Sequence, residues 1–199
     1  MTFGNSVVRA LTLLLVALPA SAAEKPVAGD WGVEQLMRTL SVVKSARGKF
    51  VERKQLAILN APLESSGVLA YTSPGRLEKR TLLPRLETLL LDQDRLTIES
   101  SEKKLSRTLN LQQYPLVWAL VEGIRSTLAG DAATLRRFYH LSIEGNESRW
   151  LLVLKPVDSQ MRDVLTEIRI SGSAHRIDTI EVAETGGDRS VMTITGDAS

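Results

Sequence analysis

The spacing of apolar residues predicts an amphipathic helix early in the chain. Leu36 and Leu40 belong to a set that recurs at intervals of three and four, which is typical of a helix with one buried face. We expect this helix to run from Trp31 to about Ala46. Asp30 has the short acceptor side chain that suits the cap of its first turn, and Gly48 is expected to end it.

After this helix the apolar residues alternate with polar ones, which is the period of a β-strand. Turn residues such as Ser73-Pro74-Gly75 and Asp92-Gln93-Asp94 divide the alternating segments. Short strands joined by short turns favour an antiparallel meander. We expect strands at 49–58, 67–72, 76–82, 86–91, 95–99, 104–110, 139–144, 150–155, 165–171, 175–183 and 190–195.

A helical pattern interrupts the strands near the middle of the chain. Pro115 suits a first helical turn, and Leu120 and Ile124 belong to one apolar stripe that follows it. Gly130 is expected to end this helix, and Asp131 to cap a short second one that reaches about Arg137. Residues 158–163 are expected to form one further helical turn. The pattern therefore predicts an α+β chain that is mainly β, with about eleven strands.

The first residues have the three parts of a secretory signal peptide. One cation, Arg9, precedes an apolar stretch at 10–18, and small residues follow at 19–23. The apolar stretch is shorter than the roughly 20 residues that span a bilayer. We expect cleavage after Ala22 or Ala23 and export to the periplasm, with an uncleaved anchor helix as the alternative.

Length and composition predict a single domain over residues 24–199. The chain has no cysteine, so it has no disulfide framework and no thiol for lipid attachment at the cleavage site. Its formal net charge is only +2, from 25 Lys and Arg against 23 Asp and Glu. This balance argues against nucleic acid as a partner. The exported chain is expected to be soluble.

The sequence offers little catalytic chemistry. The two histidines, His140 and His175, lie far apart with no cysteine or second histidine nearby, and no nucleophile elbow or phosphate loop is present. Asp92 and Asp94 flank a turn, and two carboxylates at this spacing form a hairpin more often than a calcium site. We therefore expect no enzyme activity, no catalytic residue, no metal and no cofactor.

The leucine-rich strands leave two interpretations open. Residues 86–91 and 150–154 are apolar on both faces, which fits either a filled core or a wall between a core and an apolar cavity. Arg76, Glu78 and Arg80 form a charged face on one strand. Such a face is most often solvated, and the alternative is a charged ring at the mouth of a cavity that meets an anionic head group.

The order of several segments resembles the LolA family of periplasmic outer-membrane lipoprotein carriers. The resemblance covers essentially the whole exported chain, and it also extends to a divergent LolA-like branch that is associated with aryl-polyene and related lipid export. The segments that carry it are "ARGKFVERK", "ESSGVLAYTSPGRLEKR", "ETLLLDQDRLTI", "RWLLVLKPVD" and "LTEIRISGSAHRIDTIEVAETGGDRSVMTI".

This resemblance implies an unclosed antiparallel β-barrel whose helices form a lid over an apolar cavity. It implies a monomeric carrier that takes a lipoprotein, or another acylated or polyene lipid, from an inner-membrane ABC release complex or exporter to an outer-membrane acceptor. A periplasmic protein-interaction or sensor module of the same fold is the first alternative. An enzyme that shapes a hydrophobic intermediate in the cavity is the second.

The resemblance also predicts the residues of the acyl site. Family carriers have an arginine directly before the proline of the "YTSPGR" segment that helps to latch the lid, whereas this chain has Ser73 there and Arg76 after the proline. The latch is therefore expected to be missing or moved. The expected cavity residues are Leu69, Tyr71, Leu77, Leu89, Leu91, Leu96, Ile98, Leu152, Leu154, Ile168 and Ile170 on the strands, with Trp118 and Leu120 on the lid.

Overall fold

The computed structural model describes residues 31–100, 102 and 105–196 as a sheet of eleven strands with four α-helices and one 3₁₀ turn. All eleven predicted strands are present. In chain order the elements are α1 (Val33–Ser41), β1 (Ser45–Gln55), β2 (Leu63–Thr72), β3 (Arg76–Leu83), β4 (Glu87–Asp92), β5 (Arg95–Ser100), β6 (Leu105–Asn110), the 3₁₀ turn (Leu111–Gln113), α2 (Pro115–Ala129), α3 (Ala132–Phe138), β7 (Tyr139–Asn146), β8 (Arg149–Pro156), α4 (Ser159–Arg162), β9 (Leu165–Ser173), β10 (Arg176–Glu184) and β11 (Arg189–Thr195).

Each strand pairs antiparallel with its neighbours, and the order across the sheet is β6-β5-β4-β3-β2-β1-β11-β10-β9-β8-β7. Strands that follow each other in the chain are neighbours in the sheet, except β6 and β7, which lie at opposite edges; in the middle of the sheet β11 returns to pair with β1. The edge strands β6 and β7 do not pair with each other, so the sheet is not closed into a barrel. The expected mainly-β fold with an unclosed antiparallel sheet is confirmed.

The first helix is shorter than the sequence analysis predicted. It begins at Val33 and ends at Ser41, and β1 has already begun at Ser45. Ten consecutive residues of β1, from Ser45 to Lys54, pair with β2, and this pairing includes the last two residues of the expected helix, Ser45 and Ala46. Gly48 therefore lies within a strand and does not end the helix, which was a wrong expectation.

Several expectations concern residues outside the described ranges. These are the signal peptide at 1–23, the cap at Asp30 and the first residue of the strand expected at Lys104. The residue at the N-cap of α1 is Gly32, which has no side chain that could cap the helix. Within the described part of the chain, no helix combines the length and the apolar character that a membrane span needs.

Local signals set the bounds of α2 and α3 as expected. Pro115 lies in the first turn of α2, where a missing N–H removes no helical hydrogen bond. Gly130 ends the helix with φ of 69°, a left-handed conformation that favours glycine. A Cβ at this position would also lie 2.2 Å from the carbonyl oxygen of Met37. The Asp131 carboxylate caps α3 by accepting from the backbone N–H of Thr134 at 2.9 Å.

The helices bury one region of the sheet. Side chains of α1, α2 and α3 pack against β7, β8 and β9 in one cluster of buried apolar residues. Burial of this kind is the main favourable contribution to folding. The cluster contains Leu36, Met37 and Leu40 of α1, Ala119 of α2, Leu135 of α3, and Trp150, Leu152, Leu154, Ile168 and Ile170 of the sheet.

We predict that Leu152→Ala lowers the free energy of unfolding by about 2–5 kcal/mol, because Leu152 is fully buried and the substitution leaves a cavity in a packed core. Leu83→Ala deletes the same atoms at a position that is 65% exposed, so its effect is expected to stay below about 0.5 kcal/mol. Urea denaturation followed by circular dichroism measures both values. Equal effects of the two substitutions would contradict the assignment of Leu152 to the core.

Candidate functional site

The strand register places the predicted cavity residues on one face of the sheet. Residues directly opposite each other in an antiparallel pair point to the same side. Tyr71 lies opposite Leu77, and Leu77 lies opposite Leu91. The pairing continues from β5 through β1 and β11 to β8, and its register shifts lie outside the pairs that relate Met192 to Ile180, Ile170 and Leu152. The inward face therefore carries Leu69, Tyr71, Leu77, Leu89, Leu91, Leu96, Ile98, Leu152, Leu154, Ile168 and Ile170.

This inward face is divided into a filled region and a hollow one. Leu152, Leu154, Ile168 and Ile170 have no exposed surface and pack within the core beneath the helices. They do not line the apolar cavity that lies between α2 and the rest of the sheet. The reason is that α1, α2 and α3 lie against this part of the sheet and fill the space in front of it.

The hollow region lies against β1–β5, β10 and β11, and its volume is about 440 Å³. This volume is within the range of sites that bind a small ligand. Its wall is predominantly apolar, and the lid side of the wall comes from one stripe of α2, formed by Leu120, Val121, Ile124 and Leu128. Seven of the residues expected in the site line this cavity: Leu69, Tyr71, Leu77, Leu89, Leu91, Leu96 and Leu120.

Two other expected residues lie beside the cavity and do not line it. Ile98 lies opposite Leu89 on the inward face, next to the open edge of the sheet. Trp118 is half-buried, and its ring lies 6.0 Å from that of Phe138. Its indole N–H donates to Glu122 Oε1 at 3.0 Å, so it takes part in the hydrogen bonds of α2.

The wall also contains an ion pair that the sequence analysis did not identify. Lys79 Nζ donates to Glu52 Oε2 at 2.5 Å, and Ser190 Oγ donates to Glu52 Oε1 at 2.7 Å. Burial alone would raise the pKa of Glu52, but the hydrogen bond and charge of Lys79, with the serine hydrogen bonds, hold that pKa below its ordinary value. Glu52 is therefore a carboxylate at neutral pH.

A second carboxylate, which is buried, organises the lid helix. Glu122 has only 5% of its side chain exposed and accepts hydrogen bonds from Trp118, Arg125 and Ser126, all on α2. The neighbouring hydroxyl of Tyr139 donates to the carbonyl of Ala119 at 2.8 Å. Burial, together with the charge of Glu122, raises the pKa of Tyr139 far above its usual range, so this hydroxyl keeps its proton.

The contact between lid and sheet involves an arginine of the helix. Arg76, the arginine after the proline, is the first residue of β3. Its Nη1 forms an ion pair with Oδ2 of Asp92, the last residue of β4, at 3.0 Å. Arg125 of α2 instead reaches the β2–β3 turn, where a Cβ added to Gly75 would lie 2.8 Å from Arg125 Cδ. Glu122 holds the guanidinium through two hydrogen bonds of 2.6 and 2.7 Å. The residue at the expected latch position, Ser73, contributes a backbone hydrogen bond to Lys44.

The two histidines lie in different parts of the sheet. His140 is the second residue of β7, and His175 lies in the β9–β10 turn, where it lines the cavity; both side chains are exposed. Among the described residues, no group of three or more His, Cys, Asp or Glu side chains is placed to hold a metal ion. The Asp92 and Asp94 pair forms the predicted tight turn, with Gln93 in a left-handed conformation between them.

We predict that Gly75→Ala loosens the contact between the lid helix and the β2–β3 turn, because the added methyl group displaces the Arg125 side chain. Amide hydrogen exchange in the last two turns of α2 is expected to become faster. Gly186→Ala is the matched control, since a Cβ there meets nothing within 4 Å. Unchanged exchange in α2 of the Gly75 variant would show that this contact does not hold the lid.

Comparison with solved structures returns proteins of low sequence identity. A LolA superfamily protein from Nitrosomonas europaea is 12% identical, with 83% of this chain and 92% of that chain covered and a TM-score of 0.45. The Pseudomonas aeruginosa MucA/MucB complex is 11% identical, with 84% of this chain and 58% of that chain covered and a TM-score of 0.44. A putative outer membrane lipoprotein-sorting protein domain from Vibrio parahaemolyticus is 8% identical, with 83% of this chain and 90% of that chain covered and a TM-score of 0.42.

Comparison with family models gives a match over nearly the whole chain. No curated protein matches the sequence. Residues 21–199 match the model described as "Outer membrane lipoprotein carrier protein LolA-like". This range contains every described helix and strand. The chain belongs to the LolA-like family of outer-membrane lipoprotein carrier proteins.

Proposed function

We propose that this protein is a periplasmic carrier that shelters the acyl chains of a lipoprotein, or of a related lipid, and moves them from the inner to the outer membrane. The observation that carries the proposal is the apolar cavity between the sheet and α2. An acyl chain in water costs roughly 0.8 kcal/mol for each exposed CH₂ group. A carrier across an aqueous compartment must therefore remove these groups from water, and membership of the family supports this role.

The acyl contacts are assigned to the part of the wall that faces the cavity. Leu69, Leu77, Leu89 and Leu91 provide a continuous aliphatic surface on β2–β4, and Leu120 of α2 faces it from the lid side. Aliphatic side chains suit an acyl ligand because they offer dispersion contacts and no polar group that would lose its hydration. No covalent step is needed, so the proposed role is transport without catalysis.

The proposed route needs export and two partners. Residues 1–23 act as the signal peptide, and residues 24–199 form the single carrier domain. An inner-membrane ABC release complex or exporter loads the cargo, and an outer-membrane acceptor receives it. The apolar stretch before small residues at 19–23 and the family membership support this route.

We predict that the protein isolated from a periplasmic fraction has lost its first 22 or 23 residues, which intact-mass measurement detects directly. Leu14→Arg places a charge in the apolar stretch of the signal peptide, and this variant is expected to remain unprocessed in the cytoplasm. A full-length mass in the periplasmic fraction would contradict the cleavage but not the carrier role.

We predict that Leu89→Trp weakens uptake of a fluorescent acyl probe by about tenfold, because a bulkier side chain fills the cavity. Leu90→Trp is the matched control, since its side chain projects from the opposite face of the same strand. Titration of the probe into each variant gives the two dissociation constants, and native mass spectrometry gives the stoichiometry. Acyl binding in this cavity would be contradicted if both substitutions weakened probe binding equally, or if neither substitution weakened it.

A protein-interaction module is the second candidate function, and one observation favours it. The β1–β2 and β3–β4 hairpin turns lie at the same end of the sheet, and both expose large apolar side chains. Ile58 is 89% exposed, and Leu59, Leu83 and Leu86 are also exposed. Exposed apolar clusters of this kind mark contact surfaces. A protein that binds no acyl probe but retains a protein partner on purification would favour this candidate.

A further inference from the structure

A lysine interrupts the apolar wall of the cavity. Lys79 lies between Leu69 on β2 and Leu89 on β4, and all three side chains share the inward face. Its side chain is only 24% exposed, and it lines the cavity. A charged group in such a wall is costly unless it has partners. Its presence therefore requires an explanation beyond the storage of hydrocarbon.

Glu52 accepts from two serines besides Lys79, whereas Lys79 has a single acceptor among the described residues. Glu52 accepts hydrogen bonds from Lys79, from Ser190 at 2.7 Å and from Ser65 at 3.4 Å. An ammonium group has three N–H donors, and within the described residues only the one to Glu52 has an acceptor. The ammonium also lies 5.0 Å from the ring centre of Phe50, which holds it in place. Two donors of Lys79 thus remain for a ligand.

The hydroxyl of Tyr71 is a second polar group of the wall that lacks a hydrogen-bond partner among the described residues. The Tyr71 hydroxyl is buried, and it has no hydrogen-bond partner among the described residues. Tyr71 lines the same cavity, and its neighbour across the strand pair, Leu77, is two residues before Lys79 on the inward face of β3. An unpaired buried hydroxyl is destabilising, and because this one has almost no surface open to the cavity, a ligand oxygen would satisfy it only after a shift of neighbouring side chains.

The charge of the ion pair limits which ligand group fits. Lys79 and Glu52 together are neutral, and the low pKa of Glu52 keeps its negative charge in the wall. A ligand carboxylate beside Lys79 would also lie near Glu52 and would be repelled by it. A neutral carbonyl accepts from an ammonium N–H without this repulsion. The pair therefore suits an ester or amide oxygen better than a free acid.

We infer that the cavity recognises an acyl ester or acyl amide, with the ligand carbonyl oxygen accepting a hydrogen bond from Lys79 while Glu52 positions the lysine and excludes free fatty acids. The inference rests on the proposed function, because it assumes that acyl chains enter this cavity. It goes beyond that function by naming the polar group of the ligand and the residues that select it.

The test compares three ligands of equal chain length, methyl hexadecanoate, hexadecane and hexadecanoate, as competitors of a fluorescent acyl probe. Lys79→Met keeps the length of the side chain and removes its donors. This substitution is expected to weaken the ester by about tenfold relative to its effect on the alkane, the change that corresponds to one lost charge-assisted hydrogen bond. Lys79→Arg keeps the donors and is expected to retain the difference between ester and alkane.

Glu52→Gln tests the exclusion of free acids. With the negative charge removed, the affinity for hexadecanoate relative to the methyl ester is expected to rise about tenfold at neutral pH. A merely structural role of the ion pair would alter all three ligands alike in both variants, and that result would overturn the inference. If none of the three ligands displaces the probe from the wild-type protein, the proposed carrier function fails as well.

Discussion

Burial of the inward face of an eleven-stranded sheet is the constraint on which the rest of this structure depends. An apolar sheet face must be covered, either by other elements or by a ligand. The three helices α1, α2 and α3 cover the part formed by β7–β9 and leave the part formed by β1–β5 in front of a hollow. The cavity follows from this unequal coverage, because one stripe of α2 faces the core and the next stripe faces the hollow.

Two carboxylates, Glu122 buried in α2 and Glu52 half-buried in the wall, organise the two sides of the cavity. Glu122 gathers donors from α2 alone, whereas the Tyr139 hydroxyl of β7 links this helix to the sheet by donating to the Ala119 carbonyl. Glu52 instead joins strands that are distant in sequence, since its partners lie on β2, β3 and β11. The sheet side of the cavity is therefore cross-linked between strands, while the hydrogen bonds of Glu122 stay within one helix.

The sequence predicted the strands well because their signals are local. The alternation in 95–99 and the turn at Asp92-Gln93-Asp94 need no tertiary information, and both are found where expected. The first helix was predicted too long, because its period continues into residues whose pairing with β2 is invisible in the sequence. The sequence also showed which residues of each strand share a face, so the eleven predicted strand residues all point inward.

The division of those residues between core and cavity was not predictable in the same way. Leu152 and Leu89 are both leucines on inward-facing strand positions, and only the location of the helices separates a buried one from one that lines the hollow. Lys79 was overlooked because a lysine in a charged strand is ordinarily solvated, and its partner Glu52 lies 27 residues away. Similarly, the role of Arg125 depends on the packing of α2 against a turn that precedes it by 50 residues.

Native mass spectrometry of the protein purified from its own periplasm, followed by organic extraction, tests the carrier role most directly. The account predicts a bound acylated molecule at about one per chain, because the cavity is apolar and of the size of a single-ligand site. The extracted molecule is expected to carry an ester or amide carbonyl. A mass that corresponds to the protein alone, with no uptake of an acyl probe afterwards, would contradict the central claim.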